Sequence, residues 1–285
     1  MTISLSHGGG GREMQELIRR FRKELKLSGG WSNTDNDSAT LRLGNQFLCF
    51  TTDSFVVDPV FFPGGNIGKI AACGTLNDLA VIGAKPLGLS LAMVLEEGFP
   101  EEDLQKIVAS IGRVSVETGV PIVTGDTKVM ERGKLDKIVI NTSGVGMADS
   151  LFDKPLEAGD KVLLSGTIGD HVVALLSKRF EFETTIVTDS KPVLEEIEAI
   201  RPFIKQAKDP TRGGLAAVLN EISQRNKVGL LIDETRIPIK EEVQGFVELL
   251  GLNALELANE GRFVAVIHKE HAAEAEAALK KFGLG

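Results

Sequence analysis

Residues 46–83 read QFLCFTTDSFVVDPVFFPGGNIGKIAACGTLNDLAVIG, and the alternation of element types within them sets the fold. Residues 46–52 are apolar and aromatic, the composition of a strand, with Asp53 expected just beyond its end. Residues 66–83 then read as a helix that Gly83 stops. Asn77 and Asp78 fall inside that helix, where propensity favours neither residue. Departures from local rules of this kind concentrate at functional sites.

Working outward, Met14, Leu17, Ile18, Phe21 and Leu25 recur at helical spacing before Gly29-Gly30. Residues 87–95 read as a buried strand. Pro100 followed by Glu101, Glu102 and Asp103 marks a helix start, and Gly119 closes that helix. A short strand is expected at 120–124, ending in Gly125-Asp126, and another at 138–147. The polar, turn-rich stretch 148–160 marks a domain boundary. Beyond it, strands are expected at 161–165, 229–233 and 263–268. Helices are expected at 171–180, about 191–206, 213–226, near 239–250 and at 269–281. Several strands are adjacent in sequence, which favours an α+β fold over a doubly wound sheet. Three segments follow: 1–35 as a glycine-rich lid with the first helix, 36–148 as the N-terminal domain, and 149–285 as the C-terminal domain.

The chain has 285 residues, 42% hydrophobic and 25% charged, with a formal net charge of −8. That balance argues against nucleic acid as the main partner, because phosphate neutralisation needs clustered Lys and Arg. No apolar run approaches the roughly 18 residues of a membrane span, and residues 1–11 lack the pattern of a secretory signal. Cys49 and Cys73 are the only cysteines, too few for a disulfide framework or a sulfur-based zinc site, so a cytoplasmic location is expected. Both read as buried structural residues.

The chemistry-bearing motifs are Thr51-Thr52-Asp53-Ser54, Thr75-Leu76-Asn77-Asp78 and Thr124-Gly125-Asp126-Thr127, preceded by the run Gly8, Gly9, Gly10, Gly11. Carboxylates, amides and hydroxyls at the ends of apolar elements suit a nucleotide bound through Mg²⁺, which takes oxygen ligands, while glycine-loop N–H groups reach phosphates. The glycine run lacks a Walker Lys-[Ser/Thr] and follows no strand, so neither a P-loop nor a dinucleotide fingerprint is present. Lys69 precedes Asn77 by eight residues on roughly one helix face and could reach a phosphate. Asp209-Pro210-Thr211-Arg212-Gly213-Gly214 opens a helix and offers N–H groups, a hydroxyl and an Arg fork to an anion. Glu260, in Asn259-Glu260-Gly261, and His171, after Gly169-Asp170, are candidate bases.

These stretches resemble the HypE family of hydrogenase maturation proteins. The resemblance rests on HGGGGREMQELI, TTDSFVVDPVFFPGGNIGKIAACGTLNDLA, VPIVTGDTKVMERG, SGTIGDH, DPTRGGLAAVLNEI and LANEGRFVAV. It implies a two-domain α+β protein with the fold of aminoimidazole ribonucleotide synthetase, forming a homodimer through the sheet of its N-terminal domain. It also implies ATP and Mg²⁺ as cofactors. Asp37, Asp53, Asp78 and Asp126 would then hold metal. Gly8–Gly11, Lys69, Asn77, Thr124, Gly125, Thr127, Asp209 and Arg212 would bind the nucleotide, and Lys128 would join Glu260 and His171 in catalysis. Asp37 lies in an imperfect form of the superfamily's acidic pattern.

The implied reaction is ATP-dependent dehydration of a cysteine S-carboxamide to a thiocyanate, which supplies cyanide to the iron of [NiFe] hydrogenase. HypF and the HypC–HypD complex would be partners. Family members end in a tail closing on Pro-Arg-Ile-Cys or similar, whereas this sequence stops at Gly285, so a truncated tail is expected. The rival readings are another ATP-using superfamily enzyme, such as selenophosphate synthetase, and a tailless nucleotide-binding scaffold.

Overall fold

A computed structural model describes residues 2–25 and 29–283. After an amphipathic helix α1 (Arg12–Glu24), the chain enters β1 (Trp31–Ser32), β2 (Ala39–Leu43) and β3 (Gln46–Phe55). A small hairpin of β4 (Phe61–Phe62) and β5 (Gly65–Asn66) leads into α2 (Ile67–Val81). Asn66 caps that helix, its side-chain oxygen accepting from the N–H groups of Gly68 and Lys69. Then come β6 (Lys85–Glu96), α3 (Glu101–Thr118), β7 (Ile122–Met130) and β8 (Ile138–Ala148). The strands form one six-stranded sheet ordered β1-β2-β3-β8-β6-β7. Only β6 and β7 pair in parallel, as the crossover through α3 requires. β7 is therefore an edge strand, and its side chains are exposed from Val123 to Met130.

α2 is buried at every residue but Lys69, because it is apolar on all sides and packed on all sides. Ile67, Ala71 and Leu76 join the sheet–α3 core. Leu79 packs toward Cys49 and Ala148, and Ala80 and Val81 enter the core of the second unit.

The second unit holds β9 (Lys161–Leu164), α4 (Asp170–Phe180), α5 (Leu194–Ile200), β10 (Ile204–Lys208), α6 (Gly214–Asn226), α7 (Glu241–Leu250), β11 (Val264–Ile267) and α8 (Ala272–Lys280). Its antiparallel sheet runs β10-β11-β9. The central β11 is buried on both faces. Ala265 and Ile267 meet α5 and α8, while Val264 and Val266 meet the α4–α6–α7 layer.

Four expectations are corrected. β3 continues through Asp53 to Phe55, because pairing with β8 gives those residues ladder partners; Asp53 lies opposite Thr142. β7 likewise runs on past Thr124 to Met130 against β6. The helix expected over 191–206 stops at Ile200. Pro202 then sits in a 3₁₀ turn, and residues 204–208 form β10 against β11. Residues 229–233 pair with no strand among the described residues, and Leu231 is fully exposed.

Candidate functional site

Four carboxylates converge where the two units meet: Asp37 from the turn before β2, Asp53 from β3, Asp78 from α2 and Asp209 from the end of β10. Asp78 is fixed twice. Its Oδ2 lies 2.7 Å from the Thr51 hydroxyl, and its carbonyl accepts from Ser38 Oγ at 3.1 Å. Burial pushes the Asp78 carboxyl well above the usual carboxylate range, and the charges of Asp209, Asp53 and Asp37 push it further. Asp209 is raised the same way, by burial and then by Asp37 and Asp53. Asp53 is raised by burial, against the pull of Arg212, whose Nη2 lies 3.4 Å from Asp53 Oδ1.

Mutual repulsion among buried carboxylates is the condition a hard cation relieves. The donor set fits a divalent ion: all four groups offer oxygen, and Asp37 Oδ2 is buried with no hydrogen-bond partner among the described residues. Besides Arg212, Lys208 balances charge within the fold, a residue that sequence reasoning missed. Its Nζ meets Asp37 Oδ1 at 2.6 Å, Asn36 Oδ1 at 3.1 Å and Glu221 Oε2 at 3.2 Å. Burial opposes its charge, but Asp37 and Glu221 outweigh that and raise its pKa.

Glu260 stands beside this group. Its Oε2 is buried without a hydrogen-bond partner among the described residues. Burial, then Asp189, Asp209 and Asp53, push its carboxyl well above the usual range. Asp189, also missed from sequence, receives the Glu260 N–H on Oδ1 at 3.1 Å. Burial pushes Asp189 up to about 6, although Arg262 Nε lies 3.7 Å from its Oδ2.

Residues 35–148 match the model of the AIR synthase related protein, N-terminal domain, and residues 157–285 that of the corresponding C-terminal domain. Carbamoyl dehydratase HypE of Rhizobium leguminosarum bv. viciae is 48% identical over 293 residues, covering 99% of this chain and 83% of that protein. The chain belongs to the HypE family. Among solved structures, a HypE–HypF complex matches with a TM-score of 0.86 at 44% identity, covering 95% of this chain and 89% of that one. HypE in complex with ATP matches at 0.80 and 40% identity, covering 98% and 85%.

Other residues singled out in this HypE-family chain lie at varied distances from the cluster. Gly10 packs on the 209–214 turn, since a methyl there would lie 2.5 Å from the Arg212 carbonyl; its φ of +84° also suits glycine. Gly8, Gly9 and Gly11 are exposed. Lys69 Nζ donates to the carbonyl of Gly64 at 3.1 Å.

The amide of Asn77 is taken up by backbone: it donates to Lys191 O and Glu260 O and accepts from the N–H of Val193. Thr124, Gly125, Asp126, Thr127 and Lys128 all sit on exposed β7, where Lys128 Nζ pairs with Asp126 Oδ2 at 2.8 Å. Within one chain they stand apart from the four carboxylates. His171 is buried, its Nδ1 2.8 Å from Thr188 Oγ1 and its ring edge-on to Phe62. Burial lowers its pKa to about 4, so the ring is neutral at pH 7. No helix among the described residues is long and apolar enough to cross a membrane.

Proposed function

We propose that this chain is an ATP-dependent carbamoyl dehydratase that converts a cysteine S-carboxamide to a thiocyanate in hydrogenase maturation. The observation that carries the reading is the convergence of Asp37, Asp53, Asp78 and Asp209 next to Glu260. The relatives named carbamoyl dehydratase and the HypE structure containing ATP support it.

When bound, Mg²⁺–ATP supplies an electrophilic phosphoryl group that makes the amide oxygen a leaving group. Asp37, Asp53, Asp78 and Asp209 would hold the metal. The exposed Arg212 and the N–H groups after it would hold phosphate oxygens, with Gly10 closing against that turn. Glu260, as carboxylate, takes the two protons of the amide nitrogen one at a time, releasing the first before it accepts the second. Burial and the neighbouring carboxylates raise its pKa, which makes its ionised form a stronger base than an exposed carboxylate. His171 is a poor second choice, buried and bonded to Thr188.

The homodimer belongs to the same reading. β7 is the sheet edge, and its exposed Asp126 and Lys128 are available to complete the site of a second copy. HypF would be a partner, a reading supported by the HypE–HypF complex among the matched structures, and would deliver the carbamoyl group. HypC–HypD would accept the cyanide.

The test is mass spectrometry of a Cys-terminated peptide bearing S-carboxamide, mixed with the chain and Mg²⁺–ATP. ATP-dependent loss of one water is expected. Intact peptide with ATP still bound would favour a nucleotide-binding scaffold.

A further inference from the structure

Both backbone groups of Glu260 are held by side chains that arrive from other parts of the fold. Its N–H donates to Asp189 Oδ1 at 3.1 Å, and its carbonyl accepts from Asn77 Nδ2 at 3.4 Å. The same Asn77 amide donates to Lys191 O at 3.1 Å and accepts from Val193 N–H at 2.9 Å. An Asn side chain has two N–H donors, and here backbone carbonyls take both. Asp189 is itself anchored. Arg262 Nε lies 3.7 Å from its Oδ2 while also donating to Thr167 O at 2.9 Å. The next residue, Gly261, packs so closely on the same loop that a methyl there would lie 2.0 Å from Asp189 O.

The loop at 188–193 and the turn at 259–262 are thus interlocked, and α2 pins both through Asn77. The residue after Asn77 is Asp78, so one helix delivers a carboxylate to the cluster and fixes the backbone of Glu260. Meanwhile Oε2 of Glu260 itself stays without a hydrogen-bond partner among the described residues. The backbone is restrained and the reactive oxygen is left available.

We propose that Asn77 and Asp189 are positioning residues for Glu260, clamping the two peptide groups that flank it so that its carboxylate faces Asp53 and Asp209. The inference rests on the reading of Glu260 as proton acceptor. It reassigns Asn77, expected to contact the nucleotide, to a role exerted through Glu260. Loss of either clamp lets the carboxylate drift, and displacement of a catalytic group by about 1 Å can cost roughly 100-fold in rate.

The test follows dehydration of the S-carboxamide peptide by the full chain, with Mg²⁺–ATP affinity measured separately by calorimetry. Asn77→Ala and Asp189→Ala should lower kcat by roughly 100-fold and leave ATP affinity within about threefold, a difference under the 1.4 kcal/mol of a tenfold change. Asp189→Asn keeps an oxygen that accepts the Glu260 N–H, so it should restore most of the rate. The clamp is overturned if Asn77→Ala weakens ATP binding with kcat intact, or if Asp189→Asn is as slow as Asp189→Ala. Should Asn77→Ala fail to fold, the two Asp189 variants decide alone. Glu260→Gln separates the two levels: an active Glu260→Gln sinks the proton-acceptor reading itself. An inactive Glu260→Gln beside a fully active Asp189→Ala sinks only the clamp.

Discussion

Lys208 Nζ lies 2.6 Å from Asp37 Oδ1, and both side chains are nearly buried where β10 meets the turn before β2. One ammonium thereby ties the second unit to a carboxylate of the first and leaves Asp37 Oδ2 for another cation. Lys208→Met is expected to destabilise the protein by about 3–5 kcal/mol, because it strands a buried charge. The loss should shrink when Mg²⁺–ATP is present, because a metal takes over part of the charge that Lys208 balances. Chemical denaturation with and without Mg²⁺–ATP checks both; unchanged stability would remove Lys208 from this role.

The carboxylates give a pH dependence whose sign is fixed. Asp78, Asp209, Glu260 and Asp189 have folded-state pKa values raised above those of the unfolded chain, chiefly by burial. Their contribution to stability is present below the ordinary carboxylate range and is lost as pH rises through the raised values, from 3.8 to about 6 for Asp189. With EDTA present, their contribution therefore falls as pH climbs from 4 toward 7. Saturating Mg²⁺ should flatten the trend, since a metal stabilises the ionised cluster. Asp209→Asn should remove part of the slope. Thermal unfolding at several pH values, with EDTA and with Mg²⁺, measures it.

Gly10→Ala targets the contact between the glycine run and the 209–214 turn. The added methyl would sit 2.5 Å from backbone atoms of Arg212, at a φ of +84° that L residues rarely adopt. Nucleotide affinity should drop by roughly tenfold, about 1.4 kcal/mol. The melting temperature should hardly change, because the segment contributes little to the core. Gly11→Ala meets open space and serves as the control.

His171 should show no charge change at neutral pH. Burial holds its pKa at about 4, below the ordinary 6.5, so its contribution to stability is present above 6.5 and lost as pH falls toward 4. His171→Leu should cost about 1 kcal/mol, because the Thr188 hydroxyl loses the imidazole while still accepting the Ser190 N–H. The pH profile of activity between 5 and 8 should keep its shape; a shifted profile would return His171 to the catalytic candidates. NMR titration of the imidazole gives the direct reading.

Much of the site could be read from local rules. Asp78 stood out because an Asp–Asn pair breaks the propensity of an apolar helix, and Asp209 because DPTRGG announces a helix N-terminus. Asp189 did not, because Thr188-Asp189-Ser190 lies in an irregular loop, and its importance comes from a bond to Glu260, 71 positions away. Lys208 was hidden likewise: its partner Asp37 lies 171 residues upstream, and nothing in IKQAK marks it. Asn77 breaks the helix rule visibly, but its partners, the backbone groups of Lys191, Val193 and Glu260, lie far downstream and no local pattern names them. Residues 204–208 read as helix in isolation because only pairing with β11 makes them a strand, and Pro202 is the local signal of the break.

The burial of α2 on every side bears on how the molecule comes apart. Ile67, Ala71 and Leu76 belong to the core of the first unit, while Ala80 and Val81 belong to that of the second. A helix of this length gains little from propensity alone and needs both surroundings to persist. Each half therefore leaves one wall open: α2 loses the cover of α5 in the first, and the second loses Ala80 and Val81 from its core. Calorimetry should record one cooperative melting transition, with calorimetric and van't Hoff enthalpies in agreement. A chain severed between 148 and 157 should yield two fragments that regain structure only on mixing.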